Sequence, residues 1–256
     1  MIFDKLFRPL YLEVFIGIVV YGTKTVVYVE VFEKSGIVKE RIKKSFEGKD
    51  LNDEMRGFIL SFIGKTPFYY ISVLNDSFSQ GIAKTCRDDE LEKGSFYHVC
   101  HQNRWAFYVA KSDLESLRKN YLKVGTDFVF SPFAVMVEFF KEKTEEEMVL
   151  LTLVRENSLA LCVFDRGELL YSDYVFVDTD EGYQKFLHIQ KFIERFYEEV
   201  TCENRFINFV YMADTLNSGE DIEFYIMDEL FLDVDLCSID LNEEICKLAK
   251  GELDEL

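Results

Sequence analysis

The sequence has 256 residues, enough for one large domain or two small ones, and its 48% apolar content, with 25 Phe and 14 Tyr, excludes a disordered chain. Asp and Glu total 47 against 29 Lys and Arg, and the resulting formal net charge of −18 disfavours nucleic-acid and anionic-lipid partners. No apolar run reaches the roughly 18 residues that a bilayer-spanning helix needs. We therefore expect a folded chain that does not itself enter the membrane.

The first half of the chain predicts a strand meander followed by helices and further strands. Three β-rich runs joined by Gly-containing turns are expected at residues 11–20, 23–32 and 36–46. A capped amphipathic helix follows within residues 50–64, and PFYYISVLN is typical of a buried strand. Residues 76–103 are predicted to be an irregular, polar surface segment. RWAFYVAK predicts a strand, and two further helices follow, the second with Pro132 in its first turn.

The second half repeats this pattern. Strands are expected at residues 148–154, 158–165 and 168–177, followed by a long amphipathic helix in EGYQKFLHIQKFIERFYEEV. Another strand, a helix, a short strand and a closing helix complete the chain. The charged run at residues 141–147 is the expected linker, so we predict two related domains at residues 1–144 and 145–256. Each half has the order β-β-β-α-β-α-β-α, which predicts an α/β fold with two mixed sheets flanked by helices.

The repeated order resembles the duplicated ribonuclease-H-like architecture of the actin-like ATPase superfamily. Within it, the chain is most similar to the PilM- and GspL-like proteins of type IV pilus, type II secretion and DNA-uptake (competence) machines. VVYGTKTVVYVEV is similar to that family's phosphate-loop hairpin, and FDRGELLYSDYVFV to a later strand pair, in which Gly167, Tyr171 and Ser172 hold the family positions.

The departures from the family pattern bear on activity. Nucleotide-binding members have an acidic residue before each phosphate-loop Gly, and the loops need small residues so that backbone N–H groups can approach phosphate. The first hairpin keeps Gly22, but the acidic position falls on Val20. In the second, Leu153 holds the acidic position and Arg155 the Gly position, and only Gly219 is available for the adenosine loop. These degenerate loops predict no catalytic residue, bound cofactor or metal ion.

A metal-dependent nuclease is one alternative to this interpretation. Glu13, Glu54 and Asp76 fall on elements where a ribonuclease-H-like nuclease carries its metal-binding carboxylates. With 47 acidic residues such a set arises easily by chance, and the net charge opposes a nucleic-acid substrate.

The basic residues Lys39, Arg41, Lys43 and Lys44 have the spacing of a solvent-facing strand rather than of an anion site.

The cysteines give a further alternative. The chain has six Cys, no signal peptide and no CxxC, which predicts reduced thiols in the cytoplasm. Cys86, His98, Cys100 and His101 fall in one predicted loop and are candidate zinc ligands, but their spacing matches no standard finger, so ordinary loop residues are the favoured interpretation.

The resemblance implies a non-catalytic scaffold in the cytoplasm, peripheral at the inner membrane. Its partners would be inner-membrane platform proteins with a bitopic cytoplasmic tail, and an assembly ATPase. DSFSQGIAKTC and FSPFAVMVEFF are candidate docking segments, although core packing explains them better. The alternatives are an active actin-like ATPase or sugar-kinase-like protein, and third the nuclease.

Overall fold

The structure is a computed structural model that describes residues 11–33, 36–86, 94–101, 104–200, 205–215 and 219–255. The strands are β1 Glu13–Tyr21, β2 Lys24–Phe32, β3 Val38–Glu47, β4 Phe68–Leu74, β5 Gln80–Ala83, β6 Phe96–His101, β7 Trp105–Ala110, β8 Phe128–Phe130, β9 Val149–Val154, β10 Ser158–Asp165, β11 Glu168–Phe176, β12 Phe209–Asp214 and β13 Asp233–Ser238. The α-helices are α1 Asp53–Ile63, α2 Lys111–Asn120, α3 Pro132–Phe139, α4 Gly182–Glu199, α5 Gly219–Tyr225 and α6 Leu241–Glu255. A 3-10 helix covers Lys141–Glu145, and a π-helix covers Ile226–Leu230.

The chain divides into two compact units. Unit 1 comprises residues 1–76, 114–130 and 240–256, and unit 2 comprises residues 77–113 and 131–239. The predicted domains at 1–144 and 145–256 describe two copies of a duplicated pattern, and that division stays a prediction. The compact units differ from it because residues 77–113 and 131–144 group with the second copy, while the last helix groups with the first.

Unit 1 is built on a five-stranded sheet of order β3-β2-β1-β4-β8. The first three strands are antiparallel neighbours, and β4 and β8 add in parallel. Alternation of β-branched and aromatic residues along β1 gives the sheet two apolar faces. Ile16 and Ile18 point to the face covered by α1, whereas Phe15 packs with Cys246 and Ala249 of α6.

Unit 2 repeats the arrangement with a sheet of order β11-β10-β9-β12-β13. One face is covered by α4, whose buried stripe includes Phe186, Ile189 and Phe196. The other face is covered by α3, which packs on β9 and β10 and is capped by Ser131. The segment FSPFAVMVEFF is therefore core, as the favoured interpretation predicted.

The segment predicted to be irregular, residues 76–103, contains strands β5 and β6. They flank β7 in a three-stranded antiparallel sheet of order β5-β7-β6. The prediction was wrong for these strands because β5 is only four residues long and β6 carries polar residues at an exposed edge. β5 is buried throughout and packs near β11, where Ser172 Oγ donates to the carbonyl oxygen of Ile82 at 3.2 Å.

The two sheets exchange covering helices. α3 follows the last strand of unit 1 in the chain but packs on the sheet of unit 2, and α6 follows the last strand of unit 2 but packs on the sheet of unit 1. The predicted linker is structured, since Thr144 in the 3-10 helix is buried and its carbonyl oxygen accepts from Gly167 N at 2.7 Å. Each unit therefore depends on a segment encoded in the other half.

Candidate functional site

The predicted first phosphate-loop position falls on a tight hairpin in unit 1. Tyr21 and Lys24 are paired residues of β1 and β2, so the turn contains only Gly22 and Thr23. Gly22 has a φ of 52°, the left-handed region that glycine adopts readily. The carbonyl oxygen of Thr23 already accepts from Gly48 N at 2.9 Å. Val20 lies in the strand opposite Thr25 and brings no carboxylate to the turn.

The predicted second phosphate-loop position falls on an equally short hairpin turn in unit 2. Val154 pairs with Leu159, and Arg155 N donates to the Ser158 carbonyl oxygen at 2.9 Å, so the turn contains only Glu156 and Asn157. Leu153 is fully buried in β9, where its side chain is part of the hydrophobic core. A two-residue turn offers fewer backbone N–H donors to a phosphate group than a longer glycine-rich loop does.

The Arg155 side chain is held by protein groups rather than presented to solvent. It is 2% exposed, and its Nη1 donates to the Tyr174 hydroxyl at 3.2 Å. The same hydroxyl donates to Ser158 Oγ at 3.2 Å. Arg155 thus ties the turn to β11, and Glu156 beside it adds a negative charge that repels phosphate.

The predicted adenosine-loop glycine, Gly219, is the first residue of α5. Gly219 N donates to Oδ2 of the buried Asp214 at 2.8 Å. A Cβ at Gly219 would lie 2.5 Å from Cδ1 of Leu236 and 3.2 Å from Cβ of Asp214, so a larger residue there would require the Leu236 side chain to move. Residues 216–218 of the predicted loop lie outside the described residues. The carboxylate at the end of β12 adds a second negative charge to this edge of the sheet.

Sequence reasoning missed Lys185, a fully buried cation in the first turn of α4. Its Nζ has no hydrogen-bond partner among the described residues and lies 3.9 Å from Oδ1 of Asp180. Burial lowers the pKa of Lys185, while Asp180, Asp214 and Glu156 act in the opposite direction. The signal was available, since Lys185 lies three residues after Gly182 and four before Ile189, on the buried stripe of the helix.

The structure does not bring together the candidate ligands of the two metal-dependent alternatives. Glu13 begins β1, whereas Asp76 follows the end of the parallel strand β4, so the two lie about 20 Å apart along the sheet. Cys86 and Cys100 form a disulfide, which corrects the prediction of reduced thiols for this pair and removes both sulfurs as zinc ligands. Among the described residues there is no cluster of three or more His, Cys, Asp or Glu that could hold a metal ion.

Three of the four basic residues of β3 are paired with carboxylates. Arg41 donates from Nε to Glu30 at 2.8 Å, Lys43 pairs with Asp240 at 2.6 Å and Lys44 pairs with Glu54 at 3.0 Å. These residues are exposed, as a solvent-facing strand requires. The interpretation of this run as a solvent-facing strand is confirmed, and the structure places that strand at the edge of its sheet.

Comparison with known proteins gives two matches to domains of unknown function, DUF8569 over residues 11–137 and DUF8341 over residues 182–254. No protein with a curated description matches the sequence. Each domain model covers less than half of the chain, and neither description states an activity.

Solved structures give the fold. A protein of unknown function with an actin-like ATPase fold from Bacteroides thetaiotaomicron VPI-5482 is similar over 92% of this chain and 96% of its own, with a TM-score of 0.57 and 11% identity. The chain has an actin-like fold. A chain of the PilM–PilN type IV pilus biogenesis complex is similar over 90% of this chain and 89% of its own, with a TM-score of 0.57 and 9% identity. A Ppx/GppA family member from Aquifex aeolicus aligns with a TM-score of 0.46, 9% identity, 95% of this chain and 99% of its own.

The predicted fold class is confirmed, as is the likeness to the PilM-like form of the actin-like fold. The two sheets of identical strand order are the duplicated element that the sequence indicated. No described helix combines the length and the apolar character needed to cross a bilayer.

Proposed function

We propose that this actin-like protein is a non-hydrolysing assembly scaffold, located in the cytoplasm at the inner membrane. It would bind platform proteins of a type IV pilus, type II secretion or DNA-uptake machine through the cytoplasmic tail of a bitopic partner, and would contact the assembly ATPase. The observation that carries this proposal is that both phosphate-loop hairpins close through two-residue turns.

The chemistry of phosphoryl transfer supports this interpretation. Catalysis of that reaction rests on positioning the phosphates and neutralising the developing charge with metal ions and cationic groups. Here Val20 and Leu153 stand where carboxylates would orient a metal ion, and the guanidinium of Arg155 already binds Tyr174. The carboxylates of Glu156 and Asp214 lie at the turn and strand ends of unit 2, which opposes binding of a polyanion.

The scaffold half of the proposal draws on the similarity to a chain from a PilM–PilN complex, a pilus assembly complex by its description. A similarity with 9% sequence identity shows a common fold only, so the class of partner is part of what we propose. An actin-like domain without hydrolysis retains broad sheet edges and helix faces, which are the surfaces that protein partners use.

Calorimetric titration with ATP and Mg²⁺ tests the first half of the proposal. We expect no binding in the micromolar range and no release of phosphate, with an active actin-like ATPase as the positive control in the same buffer. Micromolar binding with hydrolysis would establish the alternative, an actin-like ATPase or sugar-kinase-like enzyme.

Cross-linking followed by affinity capture from native membranes tests the second half. The expected result is enrichment of a bitopic platform protein over a capture in which the bait is denatured. Recovery of no pilus, secretion or DNA-uptake component would contradict the scaffold assignment and leave the fold unaffected.

A further inference from the structure

One segment of unit 2 is entirely free of basic residues. From residue 206 to residue 239 the sequence contains no Lys, Arg or His, but it contains eight Asp and Glu. The acidic residues concentrate in α5, the π-helix and the start of β13. A net charge of −18 is therefore unevenly distributed, and this segment produces a local negative potential.

The outer face of the same segment exposes large apolar side chains. Phe224, Met227 and Phe231 are 62%, 49% and 86% exposed. They are exposed, whereas Ile222 and Ile226 of the same helical segment are fully buried. Together with Glu220, Asp228, Glu229 and Asp233, these three residues form what we call the acidic-aromatic surface.

The backbone holds Phe231 in an unusual conformation. Phe231 ends the π-helix with φ 56° and ψ 35°, in the left-handed region that a bulky residue rarely adopts. Glycine or asparagine would relieve this strain. Strained backbone and π-helical turns concentrate at functional sites, and here both occur at an exposed aromatic residue.

The carboxylates of this surface are available to a partner. Glu220, Asp228, Glu229 and Asp233 make no ion pair or hydrogen bond through their side chains with any described residue. The exposed basic residues of β3 are different, since three of them are already paired. An unpaired acidic rim around exposed aromatic side chains matches the hot-spot and rim organisation of protein-binding surfaces.

We infer that the acidic-aromatic surface binds a cationic polypeptide segment that carries apolar anchor residues. Lysine and arginine side chains would meet the four carboxylates, and the anchors would cover Phe224, Met227 and Phe231. The sign of the charge rules against phosphate-rich ligands and anionic lipid surfaces. Cytoplasmic segments that flank transmembrane helices are enriched in Lys and Arg, so the tail of a bitopic protein has the required chemistry. Only this last assignment rests on the proposed function.

Fluorescence anisotropy with synthetic peptides tests the inference on the full chain. The probe is a labelled amphipathic peptide of lysine and leucine at helical spacing. The two comparison peptides replace every lysine by glutamate or every leucine by serine. We expect the first peptide to bind with an affinity that falls as salt rises, the glutamate peptide not to bind, and the serine peptide to bind at least about tenfold more weakly.

Variants locate the binding surface. Phe231→Gly should weaken binding about tenfold without lowering the thermal midpoint, because the glycine removes an anchor and relieves the strained backbone. Phe224→Ser should weaken binding by a similar factor and gives a second measurement if Phe231→Gly does not fold. The double change Asp228→Lys and Glu229→Lys should weaken binding and flatten its salt dependence.

A matched control separates this surface from net charge. Glu194→Lys with Glu198→Lys makes the same change in charge on the exposed face of α4 and should leave binding within about twofold of wild type. Equal losses in the two charge-reversal variants would overturn the inference, as would unchanged binding in both Phe231→Gly and Phe224→Ser. Membrane capture separates the two proposals. A platform protein recovered equally by wild type and Phe231→Gly would contradict the surface and leave the scaffold function intact.

Discussion

The substitution Gly17→Ala should loosen the attachment of the last helix to the first sheet. A Cβ at residue 17 would lie 2.5 Å from the carbonyl oxygen of Asn242, 3.0 Å from Sγ of Cys246 and 3.2 Å from Cγ1 of Ile245. The first of these atoms belongs to the backbone and cannot move aside by a rotamer change. Relief therefore requires α6 to shift away from β1.

The cost follows from what that shift disturbs. Asn242 is fully buried, and its Nδ2 donates to the carbonyl oxygens of Gly17 and Val26, each at 2.9 Å. Displacing α6 stretches both bonds and opens the contact of Cys246 with Phe15. Overpacking of a core by one methyl group typically costs about 1 to 3 kcal/mol, and the two strained hydrogen bonds place this site toward the upper end.

Hydrogen exchange of the α6 amides measures this effect locally, without assuming that the two units unfold together. A loss of about 2 kcal/mol corresponds to exchange about thirtyfold faster across residues 241–255. The matched control is Gly57→Ala in α1, where a Cβ meets nothing within 4 Å. That change should slow exchange in α1, because alanine favours a helix interior by about 1 kcal/mol over glycine. If the α6 amides of Gly17→Ala exchange at the same rate as those of the wild type, the reasoning is refuted.

Three further substitutions or measurements test other parts of the structure. Asn242→Ala should speed hydrogen exchange of the α6 amides, because it removes two hydrogen bonds to buried carbonyl groups that together contribute about 2 kcal/mol. Lys185→Met should raise the free energy of unfolding in urea at pH 7 by about 1 kcal/mol, because burial disfavours the charged amine. This gain in stability should shrink as pH rises toward the ordinary lysine pKa. Burial lowers the pKa of Lys185, so at high pH its amine is neutral in the folded protein and no charge is buried. A stability difference that stays constant with pH would contradict a buried charged amine at Lys185. Peptide mapping without reductant should recover Cys86 linked to Cys100, and recovery of both as free thiols would contradict the disulfide.

Local patterning was sufficient to predict most of the fold. The alternating apolar runs of β1, β2 and β9 to β11 are strong strand signals, and the stripe of α4 has clear helical spacing. The mixed character of both sheets followed from the repeated β-β-β-α-β sequence, because consecutive antiparallel runs pair and crossover helices lead to parallel pairing. The strands β5 and β6 were missed because their stability comes from pairing with β7, which no local pattern reveals.

Val20 and Leu153 lie in strands next to the two hairpin turns, whereas Gly22 lies in the first turn and Arg155 flanks the second. Their correspondence to the family's phosphate-loop positions stays a prediction. The bond from Arg155 to Tyr174 joins residues 19 positions apart and depends on the pairing of β10 with β11, which no local pattern reveals. The exchange of α3 and α6 is still less local, since the sequence of a helix specifies its apolar face but not which sheet receives it.

The distribution of charge connects the predicted loss of the nucleotide loops with the inferred binding surface. Three cations of β3 are paired with carboxylates of their own unit, and the guanidinium of Arg155 is buried and donates to the Tyr174 hydroxyl, so these groups are unavailable to a phosphate or a nucleic acid. The carboxylates of the acidic-aromatic surface lack such partners, so the potential that reaches solvent there is negative. A surface of this sign attracts cations at long range, and the exposed Phe224 and Phe231 then select those cations that carry apolar groups. We therefore infer the basic polypeptide from the local pairing of the positive charges more than from the total of −18.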